Sequence, residues 1–424
     1  MNWIQFGRLI HSIYSRNGKL PDLDWIQRQG LLAVKLGQVH ALRIDLLDPK
    51  KCEHLAQLYR RTSPLPSEDF FSLLDNSGID AFTAAFDSIE ESSLAAASVG
   101  QVHRGRLEQG DEVVIKAVKA DFRRQFKADI KSLKRLFRLA TRVYPPLRHV
   151  GNPVAILEDL EAMTSAELNL RNELKGQERL RQIHAEQSRQ FDLSRLKFPT
   201  AYPGLSNENV LVTQFIDAPS VDELLDDDTL RYEQLLDLFR IHGFYMFVIG
   251  TFHGDLHPGN VLVDDGDFYF IDTAYIGTVS DRLRRGLFSF FEALTRYDYS
   301  GCAESMHSMS TAQLSEADFQ RFENALLEVY KDFKGATVSE VSLTTKMMQT
   351  IKLAVRSGMS FDSGMFGIIR SLMYLDGMVL RCKPDADLIR DMREPVEEML
   401  DRFPALGGTS EREAEPGVES RMAV

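Results

Sequence analysis

The octapeptide His253-Gly254-Asp255-Leu256-His257-Pro258-Gly259-Asn260, followed by Val261-Leu262-Val263 and Tyr269-Phe270-Ile271-Asp272, constrains this chain more than any other stretch. It reads as a loop carrying one carboxylate, Asp255, and, five residues on, a carboxamide, Asn260. An apolar hairpin then delivers a second carboxylate, Asp272. Phosphoryl transfer from a nucleotide needs such a set. One carboxylate orients the attacking hydroxyl or water, while the carboxamide and the other carboxylate hold the magnesium ions that bridge the phosphates. Hard oxygen donors suit Mg²⁺, which keeps waters and takes only one or two carboxylates from a protein. Gly, Asp, Pro and Asn also dominate ordinary turns, so the octapeptide needs partners elsewhere in the chain.

The first partner lies upstream. Leu94-Ala95-Ala96-Ala97-Ser98-Val99-Gly100-Gln101-Val102 leads through the turn Gln109-Gly110-Asp111 to Val113-Val114-Ile115-Lys116-Ala117-Val118. These are two strand-like runs joined as a hairpin. A lone lysine on a buried strand matches the lysine that grips α- and β-phosphates in kinases. The preceding turn holds alanines where a protein kinase has glycines. Their Cβ atoms disfavour positive φ and keep the backbone further off, so phosphates should be cradled differently. A later helix holds Ser165-Ala166-Glu167-Leu168-Asn169-Leu170-Arg171-Asn172-Glu173, and an acid from it can pair with Lys116. Asn209 to Ile216 reads as a strand. Asp217-Ala218-Pro219-Ser220 reads as a hinge where adenine would bind, and the acidic run Asp222 to Asp228 as a solvated helix start or loop.

Other stretches are less pointed. Trp3, Phe6, Ile10, Ile13 and Tyr14 recur at helical spacing, which suits an amphipathic helix on its own protein or on a membrane. In the helical run Leu31 to Gln38, Lys35 and Gln38 share a face. Pro64-Leu65-Pro66 breaks the chain before another short helix. Phe122 to Arg142 is a basic amphipathic helix, carrying Arg123, Arg124, Lys127, Lys131, Lys134, Arg135, Arg138 and Arg142. Its cations are either a solvated face or a contact for anionic lipid head groups. An apolar helix from Phe239 to Phe252 should feed the catalytic loop, and the chain after Asp272 is mainly helical.

At 424 residues and a net charge of −12, the chain is long enough for two or three packed units and lacks the basic footprint of a general nucleic-acid binder. No window approaches the roughly 20 apolar residues of a membrane span. Cys52, Cys302 and Cys382 fit no metal or redox spacing, so a reducing, cytoplasmic setting is expected.

The ordered series KLGQ, AAASVGQVHRG, VVIKAV, ELNLRNE, HGDLHPGN and FIDTA resembles the UbiB-type atypical kinases, the aarF-domain kinase-like family. The likeness runs from about Leu32 to the helices near Asp385. It implies an α+β, bilobal protein-kinase-like fold with an N-terminal helical extension and a mainly helical C-terminal lobe. By position, Lys116, Glu173 and Asp255 match the catalytic set, and Asn260 and Asp272 the metal ligands. Ala95, Ala96, Ala97, Ser98, Val99 and Gly100 match the alanine-rich nucleotide loop. Lys35, Gly37 and Gln38 match the family's lid motif over the active site, with Glu167 among the nucleotide-side residues. The resemblance implies ATP and Mg²⁺ as cofactors, and ATPase or atypical kinase activity in isoprenoid-lipid (ubiquinone) metabolism. Anionic membrane surfaces, isoprenoid lipids or quinone-biosynthesis proteins are the implied partners.

Two departures stand out. The family's acidic Glu-x-Asp pair is Glu167-Leu168-Asn169 here, and Thr273-Ala274 follows the metal-binding Asp272 where Phe-Gly is usual. Many bacterial members end in membrane-spanning helices that this sequence lacks, so membrane association would be peripheral. The alternatives are a phosphotransferase acting on a small molecule or specific protein of another pathway, and a nucleotide-binding pseudokinase scaffold. The expected division is a helical extension over 1–85, an N-lobe over 86–216, a C-lobe over 217–404 and a disordered tail over 405–424.

Overall fold

The computed structural model describes residues 3–15, 19–41, 47–59, 66–80, 82–96, 100–118, 120–143, 153–362 and 364–406. Ala97, Ser98 and Val99 of the alanine-rich loop, and the tail from 407 on, lie outside the described residues.

Strands β1 (Phe86–Ala96), β2 (Gly100–Leu107) and β3 (Glu112–Val118) follow one another as an antiparallel meander. Gly110, at φ 96°, makes the turn between β2 and β3. The short β4 (Leu196–Lys197) belongs to a second sheet, and β5 (Val210–Gln214) returns antiparallel beside β3 to complete a four-stranded sheet. Period-two alternation sets what each face of this sheet does. Val113, Ile115 and Ala117 of β3 are fully buried and pack with Phe70, Phe82, Phe86, Val210 and Val212. Val114 and Lys116 therefore point from the opposite face, toward the lower part of the molecule.

That lower part is built on the helix Tyr232–Gly243, which continues as a π-helical segment, Phe244–Ile249. The apolar helix expected through Phe252 ends at Ile249. Gly250 takes φ 76°, a left-handed stop that suits glycine, and Arg284 donates to the carbonyls of Phe247 (3.1 Å) and Val248 (2.9 Å). Then β6 (Thr251–His253) leads into the loop of Asp255, and β7 (Val261–Asp264) and β8 (Asp267–Phe270) form a hairpin. Asp265 (φ 45°) and Gly266 (φ 87°) supply the left-handed pair that a two-residue hairpin turn requires. Finally β9 (Ile276–Thr278) pairs back on β6. Helices from Asp281–Thr295 to Arg393–Arg402 enclose these strands in one large apolar core.

The N-terminal helices pack over the side of the upper sheet. Helix Trp3–Tyr14 buries Leu9 and Ile13, and Phe6 meets Phe137 edge-on at 5.7 Å, so this amphipathic stripe packs on its own protein. The acidic run expected as a solvated helix start or loop opens with the helix Val221–Asp226, and Asp226, Asp227 and Asp228 are exposed. Asp222 alone departs from that expectation, being buried and paired with Arg381 at 2.7 Å. Ser220 starts that helix in a reciprocal capping box with Glu223.

Candidate functional site

A cleft of about 790 Å³ separates the four-stranded sheet from the β7–β8 hairpin. Leu94, Val102, Val114 and Leu211 line it from above, Leu262 and Ile271 from below, and the segment from Gln214 to Ser220 closes its back. Two apolar walls with backbone at one edge suit a flat heterocycle, and the volume lies within the range of cofactor pockets. Polar groups gather at the other end: Lys116, Glu173, Asn260 and Asp272.

Lys116 sits at the centre of that end. Its ammonium lies 2.8 Å from Glu173 Oε2 and 3.0 Å from Asp272 Oδ1. Burial alone would pull the lysine down, but Asp272 and Glu173 outweigh it and hold the ammonium above its ordinary range. Burial pushes the Glu173 carboxyl up, against the pull of Lys116. For Asp272 the balance falls the other way. Burial would raise it, and Lys116 and Lys35 together hold it below the usual carboxylate value. Asp272 itself takes φ 53°, a left-handed conformation that aspartate tolerates better than most residues.

Helix Arg171–Gln187, which carries Glu173, is locked to the segment after Asp272. Thr273 Oγ1 donates to the Glu173 carbonyl at 2.9 Å. A Cβ placed on Gly176 would fall 1.9 Å from the Thr273 carbonyl oxygen. Only glycine permits that approach. Thr273, where the resembling family has phenylalanine, is thus buried and employed as a hydrogen-bonding tie.

The catalytic-type loop is ordered from within. His253 is fully buried, with Nε2 2.9 Å from the Ile271 carbonyl, and its Nδ1 accepts the Asp255 amide at 3.2 Å. Burial pushes this imidazole below its ordinary value, and the Ile271 carbonyl opposes that. Asn260 Nδ2 donates to the Asp255 carbonyl at 2.9 Å, which leaves the amide oxygen as a donor atom for a cation. Asn260 and Asp272 line one cleft and together offer hard oxygens, the chemistry that Mg²⁺ takes from protein side chains. They would hold the ion, and it would draw negative charge off bound phosphates.

Lys35, Gln38 and Glu167 are placed beside this cleft and are not among the residues lining it. Lys35 forms a buried ion pair with Glu167, and Gln38 Nε2 donates to the Leu58 carbonyl at 3.0 Å. Burial raises the Glu167 carboxyl, Lys35 lowers it, and Asp255 and Asp272 add their repulsion. A Cβ on Gly37 would meet Leu58 at 2.4 Å, so the helix Leu31–Ala41 lies tightly on the segment below. Asn169, the departure from an acidic pair, accepts the Arg171 amide at 3.2 Å at the start of the Glu173 helix. Ala95 lines the cleft and Ala96 ends β1. Gly100 opens β2 so close to β3 that a Cβ there would lie 2.4 Å from the Ala117 carbonyl.

Two residues at this site carried no sequence signal. Tyr374 donates to Asp255 Oδ1 at 2.9 Å, and Arg370 donates to the Gly254 carbonyl at 2.8 Å. Both come from helix Gly364–Cys382, where an isolated Arg and Tyr in an apolar helix have no local pattern to mark them.

Among the described residues, no helix is long and apolar enough to cross a membrane. Residues 57–306 match the ABC1 atypical kinase-like domain. The chain is 27% identical over 387 residues to the probable protein kinase UbiB of Sodalis glossinidius, covering 88% of this chain and 69% of that one. It is 28% identical over 415 residues to the protein of the same name from Aeromonas salmonicida, covering 93% and 74%. A Mycobacterium tuberculosis protein solved in complex with erythromycin superposes with a TM-score of 0.50 at 19% identity, over 84% of this chain and 93% of that one. That likeness bears on the fold, which is the α+β kinase-like one with a mainly helical C-terminal half. With the domain match spanning more than half of its length, the chain belongs to the UbiB-type, ABC1 atypical kinase-like family.

Proposed function

We propose that this protein is a Mg²⁺-dependent ATP-binding atypical kinase or ATPase that acts in isoprenoid-lipid, by resemblance ubiquinone, metabolism at a membrane surface. The observation that carries the reading is Lys116 held between Glu173 and Asp272 in a cleft that also contains Asn260. In this reading adenine lies between Val114 and Leu262 against the hinge, and Lys116 grips the phosphates. Asn260 and Asp272 hold the magnesium, and Asp255 orients the attacking hydroxyl or water. A scaffold that only bound nucleotide would not need the carboxylate of Asp255 for chemistry, and its presence beside Asn260 and Asp272 favours turnover.

The membrane half of the reading draws on the helix Ala120–Val143. Arg124, Lys127, Lys131, Arg135, Arg138 and Arg142 are exposed and recur at helical spacing along one face. That stripe runs for roughly 27 Å at 1.5 Å per residue. Each cation near an anionic leaflet contributes about 1 kcal/mol. Arg138 also reaches Glu158 at 3.5 Å, and two further cations of the helix turn inward: Lys134 pairs with Glu161, and Arg123 donates to the Leu168 carbonyl at 2.6 Å. Ile4, 82% exposed, stands on the neighbouring N-terminal helix and adds an apolar contact.

The test is ATP turnover by purified protein in Mg²⁺, with and without anionic liposomes, beside Asp255→Asn and Asp272→Asn. Turnover that rises with lipid and vanishes in both variants supports the reading. Wild type and variants that bind ATP but are equally inert would reduce the chain to a nucleotide-binding scaffold.

A further inference from the structure

Helix Gly364–Cys382 reaches the loop of Asp255 with two side chains one turn apart, Arg370 and Tyr374, which therefore share a face. Tyr374 donates its hydroxyl to Asp255 Oδ1 at 2.9 Å. The terminal torsion of a carboxylate is soft, so a free aspartate would sweep its two oxygens over a broad range. A fixed donor on one oxygen removes that freedom and leaves Oδ2 with a defined direction.

Arg370 acts on the residue before. Its guanidinium donates to the Gly254 carbonyl from two nitrogens, at 3.1 and 2.8 Å. A charge-assisted bond of this kind is about twice as strong as a neutral one. The same guanidinium lies 5.1 Å over the Tyr275 ring and 2.9 Å from Met163 Sδ, on helix Pro153–Glu167. Gly254 is held from its other side as well. Its amide donates to the Tyr275 carbonyl at 2.9 Å, and a Cβ there would lie 2.4 Å from the Tyr275 ring. The peptide that leads into Asp255 is clamped on both sides, and the side chain is clamped at its end.

We propose that Arg370 and Tyr374 are positioning residues that fix the backbone and the carboxylate plane of Asp255 from the C-terminal helix, so that one carboxylate oxygen faces the phosphoryl acceptor. The proposal rests on the reading of Asp255 given above. Helix Pro153–Glu167, which holds Lys35 through Glu167, touches Arg370 through Met163, so the helix that pairs with Lys35 and the loop of Asp255 meet at this guanidinium.

Tyr374→Phe and Arg370→Lys, compared with wild type, provide the test. Three quantities are read: Mg²⁺-dependent ATP turnover, ATP affinity, and amide hydrogen exchange over residues 252–262. Turnover should fall by about 10- to 100-fold, since small misplacements of a reacting group cost that much. The dissociation constant for ATP should stay within about twofold, because neither residue lines the nucleotide cleft. Exchange in the loop should quicken while that of helix Gly364–Cys382 is unchanged. Arg370→Lys, which keeps the charge and one donor, should lose less than Arg370→Met. Unchanged loop exchange, or turnover and affinity falling together with global stability, would overturn the proposal. A wild type that binds ATP without turnover, with a loop that loosens in the variants, would end the phosphoryl-transfer reading and leave the positioning role standing.

Discussion

Lys116 on β3 and Asp272 after β8 stand 3.0 Å apart, so the cation suited to phosphate and the anion suited to magnesium neutralise one another across the cleft. Glu173 supplies the second carboxylate at 2.8 Å. Two anions around one cation leave that end of the site net negative until a metal arrives. For a nucleotide bound as proposed above, that charge balance favours entry together with its metal over nucleotide alone.

Replacing Lys116 with methionine should be costly in two ways. Lys116 and Glu173 are each only 9% exposed, and removal of one partner from a buried pair costs about 3–5 kcal/mol because the other charge is left uncompensated. Lys116→Met should show that loss in urea denaturation and should also lose ATP turnover. A variant as stable as wild type would mean that the pair contributes nothing net to the fold.

Asp255→Asn and Asp272→Asn should fail differently. Asparagine tolerates the left-handed φ of 53° at position 272, so the fold should hold in both. Asp272→Asn should abolish the dependence of ATP affinity on Mg²⁺, measured by calorimetry in Mg²⁺ and in EDTA. Asp255→Asn should keep that dependence and lower turnover by about 10²- to 10⁴-fold, the usual contribution of a positioned proton-handling group. Identical binding behaviour in the two variants would argue against separate roles.

Gly176→Ala tests the tie between the Glu173 helix and the segment after Asp272. The added Cβ would fall 1.9 Å from the Thr273 carbonyl oxygen, where backbone must move. Overpacking of this kind costs about 1–3 kcal/mol. Relief by outward motion of the helix would draw Glu173 from Lys116, so ATP affinity should fall along with the melting temperature. Retained affinity in a destabilised protein would show that the helix can shift without disturbing the ion pair.

What could be read from the sequence was chemistry carried by short local patterns. Asp255, Asn260 and Asp272 announce themselves because loop, turn and hairpin residues lie within one stretch. The period-two pattern of Val113, Ile115 and Ala117 similarly predicts a strand that puts Lys116 on the other face. Contacts between distant segments could not be read this way. Arg370 and Tyr374 lie more than a hundred residues beyond Asp255. Gly176 looks like an ordinary helical glycine until the helix is laid on Thr273. Asp222 reads as solvated because its cation, Arg381, is supplied by a remote helix. The end of the apolar helix at Ile249 was hidden because Phe252 continues the apolar run beyond the left-handed stop at Gly250.

His242 gives the protein a predictable weakness in acid. Both ring nitrogens are buried with no hydrogen-bond partner among the described residues, and the ring meets Phe252 edge-on at 5.7 Å. Burial, with repulsion from His253 behind it, pushes the imidazole down to about 3 from an ordinary 6.5. Above pH 6.5 folded and unfolded chains both hold it neutral, and it contributes no pH dependence. As pH falls below 6.5 the unfolded chain takes up a proton that the folded chain refuses until about pH 3. Stability should then drop by about 1.4 kcal/mol per pH unit from this group. Burial lowers His253 and His103 too, so they add slope of the same sign. His242→Leu should be neutral or stabilising at pH 7, because it removes two unpaired polar atoms. Between pH 6 and 4 its stability should fall less steeply than that of wild type in urea titrations. Parallel slopes for the two proteins would mean that His242 finds a proton acceptor or water in the folded state.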